Sequence, residues 1–178
     1  MTHRRPVRAV CVLVAVLVGL TSRAPVSAQM DEGLVKAAAL LRVPLFVDWP
    51  AASLTGRFVI GVAADDDFSQ KVIAASRGRR VNNREVVVRR VADSDQTCGC
   101  QMLFVGGGED LRSLTLLRWA RTKPVLTVGE TTAFLREGGI VRVFRADDRL
   151  RLQINNKGAE AAGLKISSRL LQLADQAP

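Results

Sequence analysis

Few side chains in this sequence are equipped for catalysis. The one histidine, His3, stands at the extreme amino terminus, and tyrosine is absent. A Ser-His-Asp or Cys-His nucleophile, a histidine general base and a histidine metal site would all depend on that one ring. What remains with chemical potential is the pair Cys98 and Cys100 around Gly99, the glycine run Gly106-Gly107-Gly108, and the carboxylates Asp65-Asp66-Asp67 and Asp147-Asp148. The glycine run precedes a helical pattern as a phosphate loop does, but no Gly-Lys-Ser/Thr follows, and the third glycine of G-x-G-x-x-G falls at Leu111. Glu109 and Asp110 occupy the helix start, where an anion would have to sit, and read as complements to the helix dipole. The aspartate triplet lacks the glycine and the position-twelve glutamate of a calcium loop and reads as a helix cap. Asp147-Asp148 reads as a hairpin turn. No metal, no cofactor and no catalytic turnover are expected.

The thiols resist so plain a reading. If the protein is exported, two free thiols are not expected to stay reduced. An intramolecular bridge closes a very small ring and needs Gly99 to bend tightly, because an extended backbone puts the two Cα atoms near the ~7 Å limit. Intermolecular pairing is the alternative. A thiol-disulfide oxidoreductase would place such a pair at a helix amino terminus; here it precedes a strand pattern.

Export itself is written in the first 28 residues. His3, Arg4, Arg5 and Arg8 form a basic region, Ala9 to Leu20 is an apolar run, and Val26-Ser27-Ala28 is a cleavage-type tripeptide. Twelve apolar residues span only ~18 Å as a helix, against a ~30 Å hydrocarbon core. Residues 1–28 are therefore expected to be a cleaved signal peptide, with residues 29–178 forming one domain soluble in the periplasm. Cleavage also removes His3 and four of the 26 basic residues; against 17 acidic ones, the formal charge falls from +9 to +5. The densest basic stretch, Arg77, Arg79, Arg80, Arg84, Arg89 and Arg90, has no interleaved aromatic ring to stack bases. Nucleic acid is not expected as a partner; a solvated face or a patch for an acidic partner is.

The elements that position these groups alternate. Leu34, Ala37, Ala38, Leu41 and Leu45 share one helical face, which predicts a helix from Asp31 kinked at Pro44 and ended at Trp49-Pro50. Phe58 to Ala64 is an apolar run suited to a strand covered on both faces, followed by a helix from Phe68 to about Ser76. Strands are predicted at Val86–Val91, Met102–Val105 and Pro124–Val128, with helices at Leu111–Arg121 and Thr131–Arg136. Ile140–Phe144 and Leu150–Ile154 form a hairpin, and helical pieces close the chain at Lys157–Ala162 and Ser168–Ala174. The fold class is α/β: a single-domain sandwich, largely a parallel sheet flanked by helices, with an antiparallel hairpin near the C-terminus.

Several blocks then carry a family resemblance. Lys36-Ala37-Ala38-Ala39-Leu40 and Phe46-Val47-Asp48-Trp49-Pro50, Cys100-Gln101-Met102-Leu103-Phe104, Leu126-Thr127-Val128-Gly129, Gly138-Gly139-Ile140-Val141, and Ile154-Asn155 followed by Ala162 to Leu171 occur in the order found in YfiR-like periplasmic proteins. The chain resembles that family from about Val35 to Ala174. The resemblance implies a non-enzymatic regulator that binds the periplasmic region of an inner-membrane signalling protein. In the founding system that protein is a diguanylate cyclase controlling cyclic-di-GMP and biofilm formation, and an outer-membrane lipoprotein sequesters the repressor. The founding member pairs the cysteine before Q-x-L-F with one further upstream; this sequence lacks that partner.

The partner-binding surface expected on this reading comprises Phe46, Asp48, Trp49 and Pro50, with Arg79, Arg80 and Arg84 as a second face. Trp49 reads equally as a core anchor and as an interface anchor. A small-ligand module remains the alternative function, since α/β sheets take ligands beyond the carboxyl ends of strands, where Gly106 to Gly108 lie. Self-association into a homodimer stays open.

Overall fold

The computed structural model describes residues 31–92, 98–107 and 110–176. The signal-type segment 1–28, and with it His3 and Cys11, lies outside the described residues, as do Gly108 and Glu109.

The predicted apolar run is strand β2 (Phe58–Ala63), and it occupies the interior of the sheet. Helix α2 (Asp66–Ser76) returns the chain to β4 (Arg84–Arg90) on one side of β2, and β5 (Met102–Val105) then pairs on the other, all parallel. Helix α3 (Leu111–Ala120) leads to β6 (Leu126–Gly129), and α4 (Thr132–Arg136) to β7 (Val141–Ala146). β8 (Arg149–Ile154) folds back antiparallel on β7. Two-residue strands complete the edges: β3 (Arg80–Val81) beside β4, and β10 (Asp175–Gln176) beside β8. The eight-stranded order is β10-β8-β7-β6-β5-β2-β4-β3.

Local chemistry accounts for the boundaries. Asp65, Asp110, Thr131 and Asn155 cap α2, α3, α4 and α5 (Asn156–Ala161), each side-chain oxygen accepting a backbone N–H of the first turn. Both hairpins turn on paired Asx residues with positive φ: Asp147 (49°) and Asp148 (57°), and Asn82 (48°) and Asn83 (61°). Such pairs build the two-residue turns whose twist matches antiparallel strands.

Alternation along the strands buries both faces. Phe58, Ile60, Val62, Met102, Phe104, Leu126 and Val128 face one core, closed by α1 (Glu32–Leu40), α2, α5 and α6 (Ser168–Leu173). Leu103 and Val105 face the other, closed by α3, α4 and the Cys98–Cys100 turn. The expected α/β sandwich with a parallel sheet and C-terminal hairpin is thus the observed architecture.

The first helix differs from expectation. It ends at Leu40 rather than continuing kinked to Trp49, and Val43–Phe46 forms a separate 3₁₀ turn with Pro44 near its start. Proline supplies no N–H for an α-helical bond and restricts the residue before it, so the chain re-nucleates with tighter geometry. The tighter turn points Val43 and Pro44 inward and leaves Leu45 55% exposed. Val47–Asp48 then becomes β1 and pairs antiparallel with β9 (Lys165–Ile166) in a two-stranded strap.

Candidate functional site

The strand order places a topological switch point between β2 and β5, because the chain leaves β2 towards β4 and re-enters on the opposite side. Doubly wound sheets bind ligands in the crevice at such a point, outside the carboxyl ends of the strands. A cavity of about 480 Å³ lies there, lined by Lys36, Asp65, Phe68, Phe104, Gly106 and Glu130.

Its polar centre is assembled from distant parts of the chain. Lys36 Nζ of α1 stands 2.5 Å from Glu130 Oε1 at the end of β6, and 4.4 Å above the centroid of Phe68. The Phe68 ring in turn packs against Phe104, centroids 4.9 Å apart. The ammonium is thus held between a carboxylate and an aromatic face, a cation site filled by the protein's own lysine. Gly106 lets the end of β5 approach Ala64 closely, since a Cβ there would meet the Ala64 Cβ at 2.9 Å. A smaller apolar cavity of about 200 Å³ adjoins it through Gly107 and Glu130, walled by Leu114, Leu117 and Phe134.

The sequence-selected residues lie elsewhere. Trp49 is 7% exposed, its ring edge on Phe58 at 5.1 Å between centroids, and its Nε1 donates to the Gln101 carbonyl at 3.3 Å. Phe46 is half-buried, while Asp48 and Pro50 are exposed. The outward side of this corner therefore consists of Leu45, Phe46, Asp48 and Pro50.

Arg79, Arg80 and Arg84 belong to the β3–β4 hairpin. Arg79 Nε donates to the Ala75 carbonyl at 2.8 Å, Arg80 to the Asn83 carbonyl, and Arg84 to the Gly56 carbonyl at 2.8 Å. Arg84 so ties the hairpin to the segment following the corner, at the amino ends of β2 and β4. By contrast, Arg90 is paired with Asp66 (2.8 Å) and Arg57 with Glu85 (3.5 Å).

Cys98 and Cys100 are bonded to each other, Cα atoms 5.2 Å apart, with Gly99 at φ 53°. Both are buried, and they rest on the backbone of β2 at Gly61, where a Cβ would meet Cys100 Sγ at 3.1 Å. The turn acts as a plug over the second face of the sheet. Among the described residues, no cluster of three or more His, Cys, Asp or Glu could hold a metal ion.

Sequence reading missed Lys36 and Glu130 as a pair, because they lie 94 positions apart and neither stands in a motif for ligand binding. Of the glycine run, Gly106 and Gly107 line this cavity, but the run gives no sign of the charged groups around it.

Fold and cleft together define a small doubly wound α/β domain with a pocket at its switch point. Residues 34–175 match the DUF4154, YfiR/HmsC-like, family, and the chain belongs to that family. It is a family of periplasmic regulators associated with membrane signalling proteins. No curated protein matches the chain. Among the described residues, no helix is long and apolar enough to cross a membrane.

Proposed function

We propose that this chain is an exported regulatory protein of the periplasm that binds and restrains an inner-membrane signalling protein, a diguanylate cyclase on the family resemblance. The family match over residues 34–175, nearly the whole described domain, carries the reading. Residues 1–28 supply the export signal, and cleavage before Gln29 releases the domain.

Two surfaces suit a protein partner: the cationic β3–β4 hairpin with Arg79, Arg80 and Arg84, and the outer side of the corner at Phe46, Asp48 and Pro50. An outer-membrane lipoprotein competing for either surface would relieve the restraint.

Deleting the gene tests the reading through cellular cyclic-di-GMP. The nucleotide and biofilm should rise, and should return to baseline on complementation with the full chain but not with a chain lacking residues 1–28. An unchanged nucleotide level, or rescue by the unexported chain, overturns it. The switch-point cavity supports a second reading as a small-ligand module. Native mass spectrometry of periplasmic material would show a bound mass displaced by Lys36→Met if that reading holds.

A further inference from the structure

We propose that a third cavity, at the opposite end of the sheet from the switch point, is a binding site for a small organic anion bearing a phosphate or carboxylate on a compact apolar body. It has a volume of about 400 Å³ and lies beside the amino ends of β6 and β7, where α3 and α4 end and α5 begins.

Its floor is apolar, formed by Leu117, Val125 and Ile140, all buried. Three cations line it: Arg121, Arg136 and Lys157, against the one carboxylate of Glu137. None of the three cations makes an ion pair or side-chain hydrogen bond among the described residues, whereas Arg57, Arg90, Arg145 and Arg151 each meet a carboxylate. Unpaired guanidinium groups around one concavity are suited to planar, multidentate recognition of carboxylate or phosphate.

The placement is also partly fixed. Gly138, at φ 95°, brings the backbone against the Arg121 stem, whose Cδ would stand 3.6 Å from a Cβ there. Asn155 is held by its bonds to Gly158 N–H and the Gly139 carbonyl, at 2.9 and 3.3 Å, and forms a rigid polar wall. Complementing helix dipoles accounts for a cation at the end of α3 and another at the end of α4. It does not account for Lys157 at the start of α5, nor for the convergence of all three on an apolar floor.

Titration calorimetry on the chain purified from periplasm, with phenyl phosphate, benzoate and phenol, tests the assignment. These probes share a ring and differ in charge. Saturable binding at one equivalent is expected for phenyl phosphate or benzoate, and the tighter of the two identifies the headgroup; phenol should not bind. Arg121→Gln and Arg136→Gln should each weaken binding about fivefold or more, while Arg118→Gln, on α3 but outside the cavity, should leave it unchanged. Because all three arginines are exposed, an unchanged unfolding midpoint is the expected control. Absence of saturable binding by either anion up to about 10 mM overturns the proposal. So does equal binding of phenol, or equal loss in Arg118→Gln.

Discussion

Replacing Trp49 with alanine separates a core tryptophan from an interface tryptophan. The indole is 7% exposed, stands edge-on to Phe58, and donates Nε1–H to the Gln101 carbonyl at 3.3 Å. Truncation removes the ring from between β1 and the start of β2 and leaves that carbonyl one donor short. Large-to-small changes of this kind cost about 3–5 kcal/mol. For a domain of this size each kcal/mol moves the melting temperature by about 2–4 °C, so the fall should be about 10 °C. Trp49→Phe keeps a ring in the site and forfeits the hydrogen bond and some volume, for about 1–2 kcal/mol and a fall of a few degrees. Urea unfolding followed by far-UV circular dichroism gives the difference without relying on tryptophan fluorescence. A midpoint unchanged in Trp49→Ala, with partner binding abolished, would refute the packing argument and return Trp49 to the surface.

Other perturbations follow from the same contacts. Non-reducing peptide mapping of exported material should show Cys98 linked to Cys100, and reducing that bond should shift the melting temperature by only a few degrees, since so short a ring gains little closure entropy; a covalent dimer would refute the assignment. Gly139→Ala should destabilise by about 1–3 kcal/mol or more, because a Cβ there would run into the Phe134 ring, and a wild-type midpoint would contradict the packing. Asp31 caps α1 and pairs with Lys71 of α2 at 3.0 Å; that bond, then the Gly33 amide, hold its carboxyl below the usual aspartate value despite the opposing effect of burial. Its contribution to stability is therefore present at neutral pH and lost as pH falls below about 4 through the depressed folded value. Asp31→Asn should flatten the acid limb of the stability curve, and an identical limb would show the pair to be inert.

The sequence made the central sheet legible where burial on both faces leaves only apolar residues, as in Phe58 to Ala63 and Met102 to Val105, and where a cap precedes a helix, as at Asp65 and Thr131. Asn82-Asn83 carries the same turn chemistry as Asp147-Asp148, but it lies within a run of arginines, where charge is the more conspicuous pattern than conformation. Periodicity extends helix α1 too far because Leu45 falls in phase with Leu34 and Leu41; the chain instead leaves the α-helix after Leu40 and turns through Pro44 in 3₁₀ geometry, which no periodicity count registers. The two-residue strands β1, β3, β9 and β10 have no pattern of their own and exist through their partners. The same holds for the Lys36–Glu130 pair, which the topology creates by bringing the end of β6 beside α1.

The disposition of arginines distinguishes the two surfaces proposed for a partner. A guanidinium bonded to a backbone carbonyl keeps its full charge, so Arg79, Arg80 and Arg84 leave the hairpin cationic, Arg80 on the outer face beside Glu85 and Arg84 on the face of buried Val81, unlike Arg90 and Arg57, which carboxylates neutralise. The corner presents Leu45 and the half-buried Phe46, whose contribution to binding would come from apolar burial. These contacts respond differently to salt. Association through the hairpin should slow markedly between about 0.05 and 0.5 M salt, as electrostatic steering is screened, and Arg80→Glu should lower the on-rate with little change in off-rate. Association through the corner should be nearly insensitive to salt and should fail through a faster off-rate in Leu45→Asp. Surface-bound kinetics with the partner's periplasmic region, measured across that salt range, would assign the interface. A salt-insensitive on-rate that Arg80→Glu leaves unchanged would remove the hairpin from consideration.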